Sequence, residues 1–208
     1  MINKATKVIV KRELKSYFAT PLGYVFVIIF LFAIGYVTFE PGRGSFFVMG
    51  VAELSSFFRY IPWLYLFLIP AISMRLWADE RKTGTIELLL TMPVTVREAV
   101  IAKFLAAWIF STFALLCTFP MVLTVIYLGK PDLSVIFLGY FGSILLAGGM
   151  LSIGSFFSAL TKNNVVSFIL SVVVVYLFLM AGSPPALDFL SSIFPKYVLE
   201  LVESLSFL

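Results

Sequence analysis

Five long intervals of this chain carry no charged residue: 16–39, 60–74, 104–129, 133–161 and 163–187. No other feature narrows the possible folds as much. A helix that spans a bilayer needs about 20 consecutive, mostly apolar residues. Four intervals meet that length alone, and Leu76, Trp77 and Ala78 carry the second past Arg75. Five spans are predicted, over 21–39, 60–78, 99–128, 134–160 and 164–182. The fold class is all-α, a polytopic bundle of transmembrane helices.

Composition agrees. Hydrophobic residues make up 61% of the 208 and charged residues only 12%. A soluble domain carries about a quarter charged residues, and half that number leaves too little polar surface to cover a globule in water. The first apolar run is longer than the core of a signal peptide and no small-residue cleavage site follows it, so it is read as a retained span.

Local signals mark the ends. Thr20-Pro21 reads as an N-cap followed by proline at the first helical position. Thr95-Val96-Arg97-Glu98 fits a capping box opening the third span. Gly129-Lys130-Pro131-Asp132 and Thr161-Lys162-Asn163-Asn164 read as turns. Pro70 and Pro120 fall inside spans and are expected to kink them.

Lysine and arginine set orientation. Lys4, Lys7, Lys11, Arg12, Lys15, Arg75, Arg81, Lys82, Arg97, Lys103 and Lys162 fall on one side, and Arg43, Arg59, Lys130 and Lys196 on the other. The larger set belongs in the cytoplasm, with the N-terminus. Residues 187–208 are too charged for a span and are read as one or two short helices in the outer leaflet.

Three features stand out from the bundle. In the N-terminal segment Lys4, Lys7, Lys11 and Lys15 form one helical ridge, with Ile2, Ile9 and Tyr17 opposite. That is the pattern of an interfacial helix over 1–19, apolar face in the bilayer and lysines toward anionic headgroups. The same lysines also serve if they only set topology.

The second is the polar stretch from Asp79 to Pro93. Gly84-Thr85 can start a short helix, with Glu87 in its first turn. Leu88, Leu89, Leu90 and Met92 give it an apolar surface, and Pro93 ends it. An exposed apolar face needs a partner, unless the segment packs back on its own bundle.

The third is the small-residue ridge of the fourth span. Gly139, Ser143, Ala147, Ser155 and Ala159 recur at intervals of four or eight, with Gly148 and Ser152 beside them. Small residues let helices approach closely in lipid. A substrate path lined by the same face is the alternative.

Much chemistry is absent from the sequence. There is no histidine, the commonest general base and metal ligand. The single cysteine, Cys117, cannot form an internal disulfide. No GxxxxGK[ST] loop is present, so nucleotide cannot be bound by that route. The spans hold almost no ionisable residue beyond Arg75 and Lys103, whereas ion-coupled transporters and proton relays place charges at mid-membrane. An intramembrane enzyme is left without an acid–base pair, and no metal site is expected.

Glu80-Arg81-Lys82-Thr83-Gly84-Thr85-Ile86-Glu87-Leu88-Leu89, then Pro93, then Lys103 in the next helix, resembles the pattern of ABC-2 type exporter permeases. The N-terminal basic helix, the long third span and the small-residue-rich fourth span are also similar, so the resemblance covers nearly the whole chain as one membrane domain. It is most similar to the gliding-motility-associated and nitrous-oxide-reductase-maturation permeases. The resemblance implies a non-catalytic transport subunit of a bacterial inner membrane. It implies pairing with a second copy or paralogue, and coupling to separate P-loop ATPase subunits that hold ATP and Mg. Residues 80–93 would be the coupling loop, with Glu80, Arg81, Gly84, Thr85, Glu87, Leu88 and Leu89 carrying the contact. Residues 1–19 would be the connecting helix. No cofactor on this chain and no nucleic-acid partner are expected. The family usually has six spans, so 187–208 would correspond to its outer re-entrant helices. The sixth span would then begin after Leu208, which implies a shortened form or a last span supplied otherwise. A scaffold or assembly factor without transport of its own is the alternative function.

Overall fold

A computed structural model describes residues 4–40, 53–87 and 95–181. These residues are helical almost throughout, and no strand occurs among them. The helices are α1 (Lys4–Ala19), α2 (Pro21–Phe39), α3 (Ser55–Ser73), α4 (Arg75–Thr83), α5 (Val96–Leu116), α6 (Phe119–Leu128), α7 (Leu133–Leu160) and α8 (Asn164–Ala181). The predicted outer-leaflet segment 187–208 lies outside the described residues, as do Leu88 to Val94.

Four helical stretches are long and apolar enough to cross a membrane: Ser55–Thr83, Val96–Leu128, Leu133–Leu160 and Asn164–Ala181. A fifth is counted if α1 and α2, bent by 71° to one another, form one broken span. The protein is therefore a multi-pass membrane bundle. The predicted second span, 60–78, is too short at both ends. Arg59 and the charges from Asp79 to Lys82 end the apolar stretch but not the helix, because a backbone ladder does not stop where hydrocarbon stops. The polar stretch read as a loop from residue 80 thus begins on α4.

Interior residues explain the association. Phe30, Ile34, Phe57, Ile61, Ile69, Phe110, Leu115, Met150, Leu151, Val175 and Leu179 are fully buried. Helix α7 lies at the centre, packing against α3, α4, α5 and α8, while α1 lies along α5 and α2 along α3. At 28 residues, α7 is ~42 Å long at 1.5 Å per residue. That exceeds a hydrocarbon core of about 30 Å, so it tilts or projects beyond it. Phe32, Phe137, Leu138, Tyr127 and Leu177 are more than half exposed. Such a surface suits lipid.

Several hydroxyls inside the bundle are satisfied locally, while those of Thr38, Tyr65 and Ser167 are buried without a partner among the described residues. Ser111 donates to the Ala107 carbonyl (2.9 Å), Ser143 to Gly139 (2.7 Å) and Ser171 to Ser167 (2.7 Å). Each returns to a carbonyl one turn back, which spares the lipid phase an orphan donor. Between helices, the Trp108 indole N–H donates to the Ile144 carbonyl (2.8 Å) and the Thr118 and Tyr140 hydroxyls are hydrogen-bonded (2.7 Å).

The expected capping box forms in full. Glu98 N–H donates to Thr95 Oγ1 (3.3 Å), and Thr95 N–H donates to Glu98 Oε2 (3.0 Å). Thr20 precedes α2 in extended conformation, as read, but its side chain makes no cap. The Gly23 N–H donates to the Thr20 carbonyl (3.2 Å), and Thr20 Oγ1 donates back to the Tyr17 carbonyl (3.3 Å). At Pro120 the span is broken between α5 and α6, as proline requires. At Pro70 the interruption falls later, at Met74, which caps α3 through the Pro70 carbonyl (2.9 Å).

Candidate functional site

The sequence motif lies at the end of α4, where that helix leaves the bundle. Arg81 and Lys82 occupy its last turn, where positive charge complements the partial negative charge of the helix C-terminus. Thr83 Oγ1 donates to the Asp79 carbonyl (2.9 Å) and lies 2.9 Å from the Thr85 hydroxyl. Gly84 follows with φ 74° and ψ 2°. Side chains disfavour this left-handed conformation and glycine does not, so the helix stops here. Helical geometry resumes at 85–87, and Glu87 N–H bonds to the Gly84 carbonyl (3.3 Å). Glu87 therefore sits in a first turn, as read. Gly84, Thr85 and Glu87 are exposed, while Glu80 and Arg81 are partly covered. Leu88 and Leu89 lie outside the described residues.

The base of α4 is held by a buried cation. Lys103 of α5 is 4% exposed. Its ammonium lies 2.8 Å from Glu80 Oε1 and 3.9 Å from Glu13 Oε1 of α1. It donates to the Leu76 carbonyl (2.8 Å) and sits 5.1 Å from the Trp77 ring centre. A buried ammonium is tolerated only when charge and hydrogen bonds are both supplied, and this one has both. One side chain thus joins α1, α4 and α5. Around it, Glu13, Ser16, Tyr17, Thr20, Arg75, Asp79, Glu80 and Lys103 line a polar cleft of about 310 Å³. Burial first, and Glu13 second, push the Tyr17 hydroxyl above its ordinary pKa, so it stays protonated.

On the opposite flank, Asn164 Nδ2 of α8 donates to Asp79 Oδ1 (2.6 Å). Ser158 of α7 reaches the break at Met74, where its hydroxyl contacts three backbone groups.

The N-terminal helix forms as predicted, with Lys7, Lys11 and Lys15 exposed; the Lys4 side chain lies outside the described residues. Its apolar side differs from the reading. Tyr17 stacks on Phe110 of α5, ring centres 4.9 Å apart, so that face meets the bundle rather than lipid alone.

The ridge of small residues divides. Gly139 lets the Phe58 ring lie against α7, and Gly148 does the same for Trp108. Ser143 and Ala147 are buried. Ser152 is exposed and Ser155 half-exposed, each bonded only to its own helix. A step of four residues overshoots a 3.6-residue turn by about 40°, so an i, i+4 ridge rotates away from the face it started on. The buried stripe continues instead through Leu151, Gly154 and Ser158.

Sequence reasoning missed Ser158, Gly154, the Asp79–Asn164 contact and the partners of Lys103. Lys103 did carry a signal, as a charge inside a long apolar helix. Nothing marks Ser158 among the serines of α7.

In these elements a short helix, pinned on two sides, presents an exposed turn. No group of His, Cys, Asp and Glu able to hold a metal occurs among the described residues. Curated proteins and solved structures give no significant match to the chain. A model of the ABC-2 family transporter proteins matches residues 8–206. That match covers the bundle, the α4 turn and both flanking pins, and the chain belongs to the ABC-2 transporter family, as a permease component of an ABC transporter.

Proposed function

We propose that this permease is half of an ATP-driven exporter and engages a separate ATPase through residues 80–93. The observation that carries the reading is the geometry of Gly84. Helix α4 runs out of the bundle, stops at a left-handed glycine, and restarts in a turn where Thr85 and Glu87 are exposed while Ile86 packs on the bundle core. A connector serving only its own bundle gains nothing from exposing that turn. Glu80 anchors the stretch to Lys103, while the exposed Thr85 and Glu87, with the partly covered Arg81, meet the partner. Leu88 and Leu89 would supply the apolar part of the contact.

ATP and Mg belong to the partner, since this chain has no phosphate loop. Its own residues move rather than react: α4 displaces, and α1, α5 and α7 follow through the contacts already described. A second copy or paralogue completes the path between two such bundles. In this reading the larger positive set, with Lys7, Lys11 and Lys15, faces the cytoplasm of a bacterial inner membrane, the ridge toward anionic headgroups. The likeness to gliding-motility and nitrous-oxide-reductase-maturation permeases rests on the overall pattern of the chain and favours an exporter of that type.

Co-purification with a P-loop ATPase tests the reading, followed by Glu87→Lys and by deletion of 85–91. Both changes are expected to abolish ATPase capture and coupled turnover. Survival of both activities in both variants overturns the coupling role.

A further inference from the structure

We propose that Met74 is a hinge between α3 and α4, and that the Ser158 hydroxyl is the positioning group that holds it at one angle. The proposal rests on the reading of α4 as the coupling element.

At Met74 the backbone ladder is interrupted. In an unbroken helix the Ala78 N–H would donate to the Met74 carbonyl. Here Ser158 takes both groups. Its hydroxyl donates to the Met74 carbonyl (2.9 Å) and accepts from the N–H groups of Trp77 (3.0 Å) and Ala78 (3.2 Å). A serine hydroxyl has one proton and two lone pairs. All are used, and all go to one backbone break on another helix. Ser158 is fully buried, so no water replaces it from bulk.

Helix α7 comes this close because position 154 is glycine. A Cβ there would collide with the Ser73 hydroxyl, one residue before the break. Gly154 and Ser158 lie one turn apart on α7, so the same face both admits the break and caps it. Beyond the break, α4 is a nine-residue helix. It is gripped by Asn164 at Asp79 on one side and by Lys103 at Glu80 on the other. The first grip lies five residues past the pivot, and the second, which also holds the Leu76 carbonyl, begins two residues past it. A segment continued through one foreign hydroxyl bends more easily than one continued by its own ladder. Displacement of the turn at Gly84 therefore rotates α4 about Met74, against α7.

The test is a distance distribution between spin labels at Lys82→Cys and Lys162→Cys, in a Cys117→Ala background and in lipid nanodiscs. A second pair, Tyr127→Cys with Leu177→Cys, reports the bundle away from the hinge. Ser158→Ala removes one oxygen and leaves three backbone groups without their partner. The first distribution is expected to broaden about twofold while the second stays unchanged. Ser171→Ala is the control, since that buried hydroxyl serves only its own helix. It is expected to change neither pair. An unchanged first pair in Ser158→Ala overturns the hinge. Equal broadening of both pairs overturns it too, because the hydroxyl would then only stabilise the bundle.

This readout needs no ATPase. Failure of wild-type protein to capture an ATPase sinks the coupling reading and leaves the hinge standing. With the ATPase bound, Ser158→Ala is expected to keep capture and lose coupled turnover; full turnover would overturn the lever role.

Discussion

The ammonium of Lys103 lies 2.8 Å from the carboxylate of Glu80, inside the bundle, and this pair fixes the root of the segment that leaves it. The two residues are 23 positions apart, on α5 and α4. Each is mostly shielded from solvent, with 5% and 19% of its side chain exposed. Removing one partner of such a pair leaves an uncompensated charge, which costs about 3–5 kcal/mol when burial is complete. Glu80 keeps some solvent, so the loss on Lys103→Met is set lower, at about 2–3 kcal/mol.

A double-mutant cycle of Lys103→Met and Glu80→Gln is therefore expected to show strong coupling. Lys103→Met strands Glu80, and Glu80→Gln strands an ammonium whose remaining ligands are the Leu76 carbonyl and the more distant Glu13. The double variant strands neither. Thermal unfolding in detergent should place it well above the sum of the single losses, with an interaction term of about 1–3 kcal/mol. Strict additivity would show that the pair does not act as one.

Gly84 gives a cleaner test, since a Cβ there meets nothing within 4 Å. Any cost of substitution is backbone cost alone. Left-handed geometry costs an ordinary L-residue about 1–2 kcal/mol, and asparagine tolerates it better. Gly84→Ala is expected to lower the unfolding midpoint or shift the turn, and to weaken ATPase capture. Gly84→Asn should lie close to wild type in both. Equal behaviour of the two would mean that the positive φ is not needed.

How much of this was legible in the sequence depends on the range of the interaction. Thr95 and Glu98 are three residues apart, and their capping box was readable because both partners lie in one turn. The spans were readable because hydrocarbon imposes a length on each separately. Glu80 and Lys103 each stand out in the sequence, but nothing local says that a charge on α5 meets one on α4. Ser158 was invisible for the same reason, its three partners being 80 to 84 residues away. Ser155 leaves the buried stripe of α7 because a four-residue repeat drifts around a 3.6-residue helix. Met74 was missed because proline removes a hydrogen bond at one place while the helix yields where a neighbour can cap it.

Two glycines of α7 separate close packing from simple smallness. A methyl at Gly154 would collide with the Ser73 hydroxyl, whereas one at Gly142 meets nothing within 4 Å. Overpacking a tight contact costs about 1–3 kcal/mol. Gly154→Ala is expected to destabilise by that amount in thermal unfolding. Gly142→Ala should be neutral or slightly stabilising, since alanine is the better helix former. A reversed order would contradict the placement of α7 against the α3 break.

Sidedness follows from the Asp79–Asn164 contact, which holds the end of α4 and the start of α8 together at 2.6 Å. Lys82 and Lys162, each within three residues of that contact, must then emerge on the same side. Lys130 precedes α7, whose 28 residues separate it from Lys162, so it must emerge on the other. Single cysteines at these positions, in a Cys117→Ala background, can be treated with a membrane-impermeant maleimide on intact cells. Lys130→Cys is expected to react at once, and Lys82→Cys and Lys162→Cys only after permeabilisation. The two parts of the result test different things. Labelling of Lys82→Cys and Lys162→Cys from opposite sides would contradict the packing of α4 on α8. Labelling of the whole set in the inverse sense would leave the bundle intact and overturn only the orientation argued from lysine and arginine, and with it the access of an ATPase to the turn at Gly84.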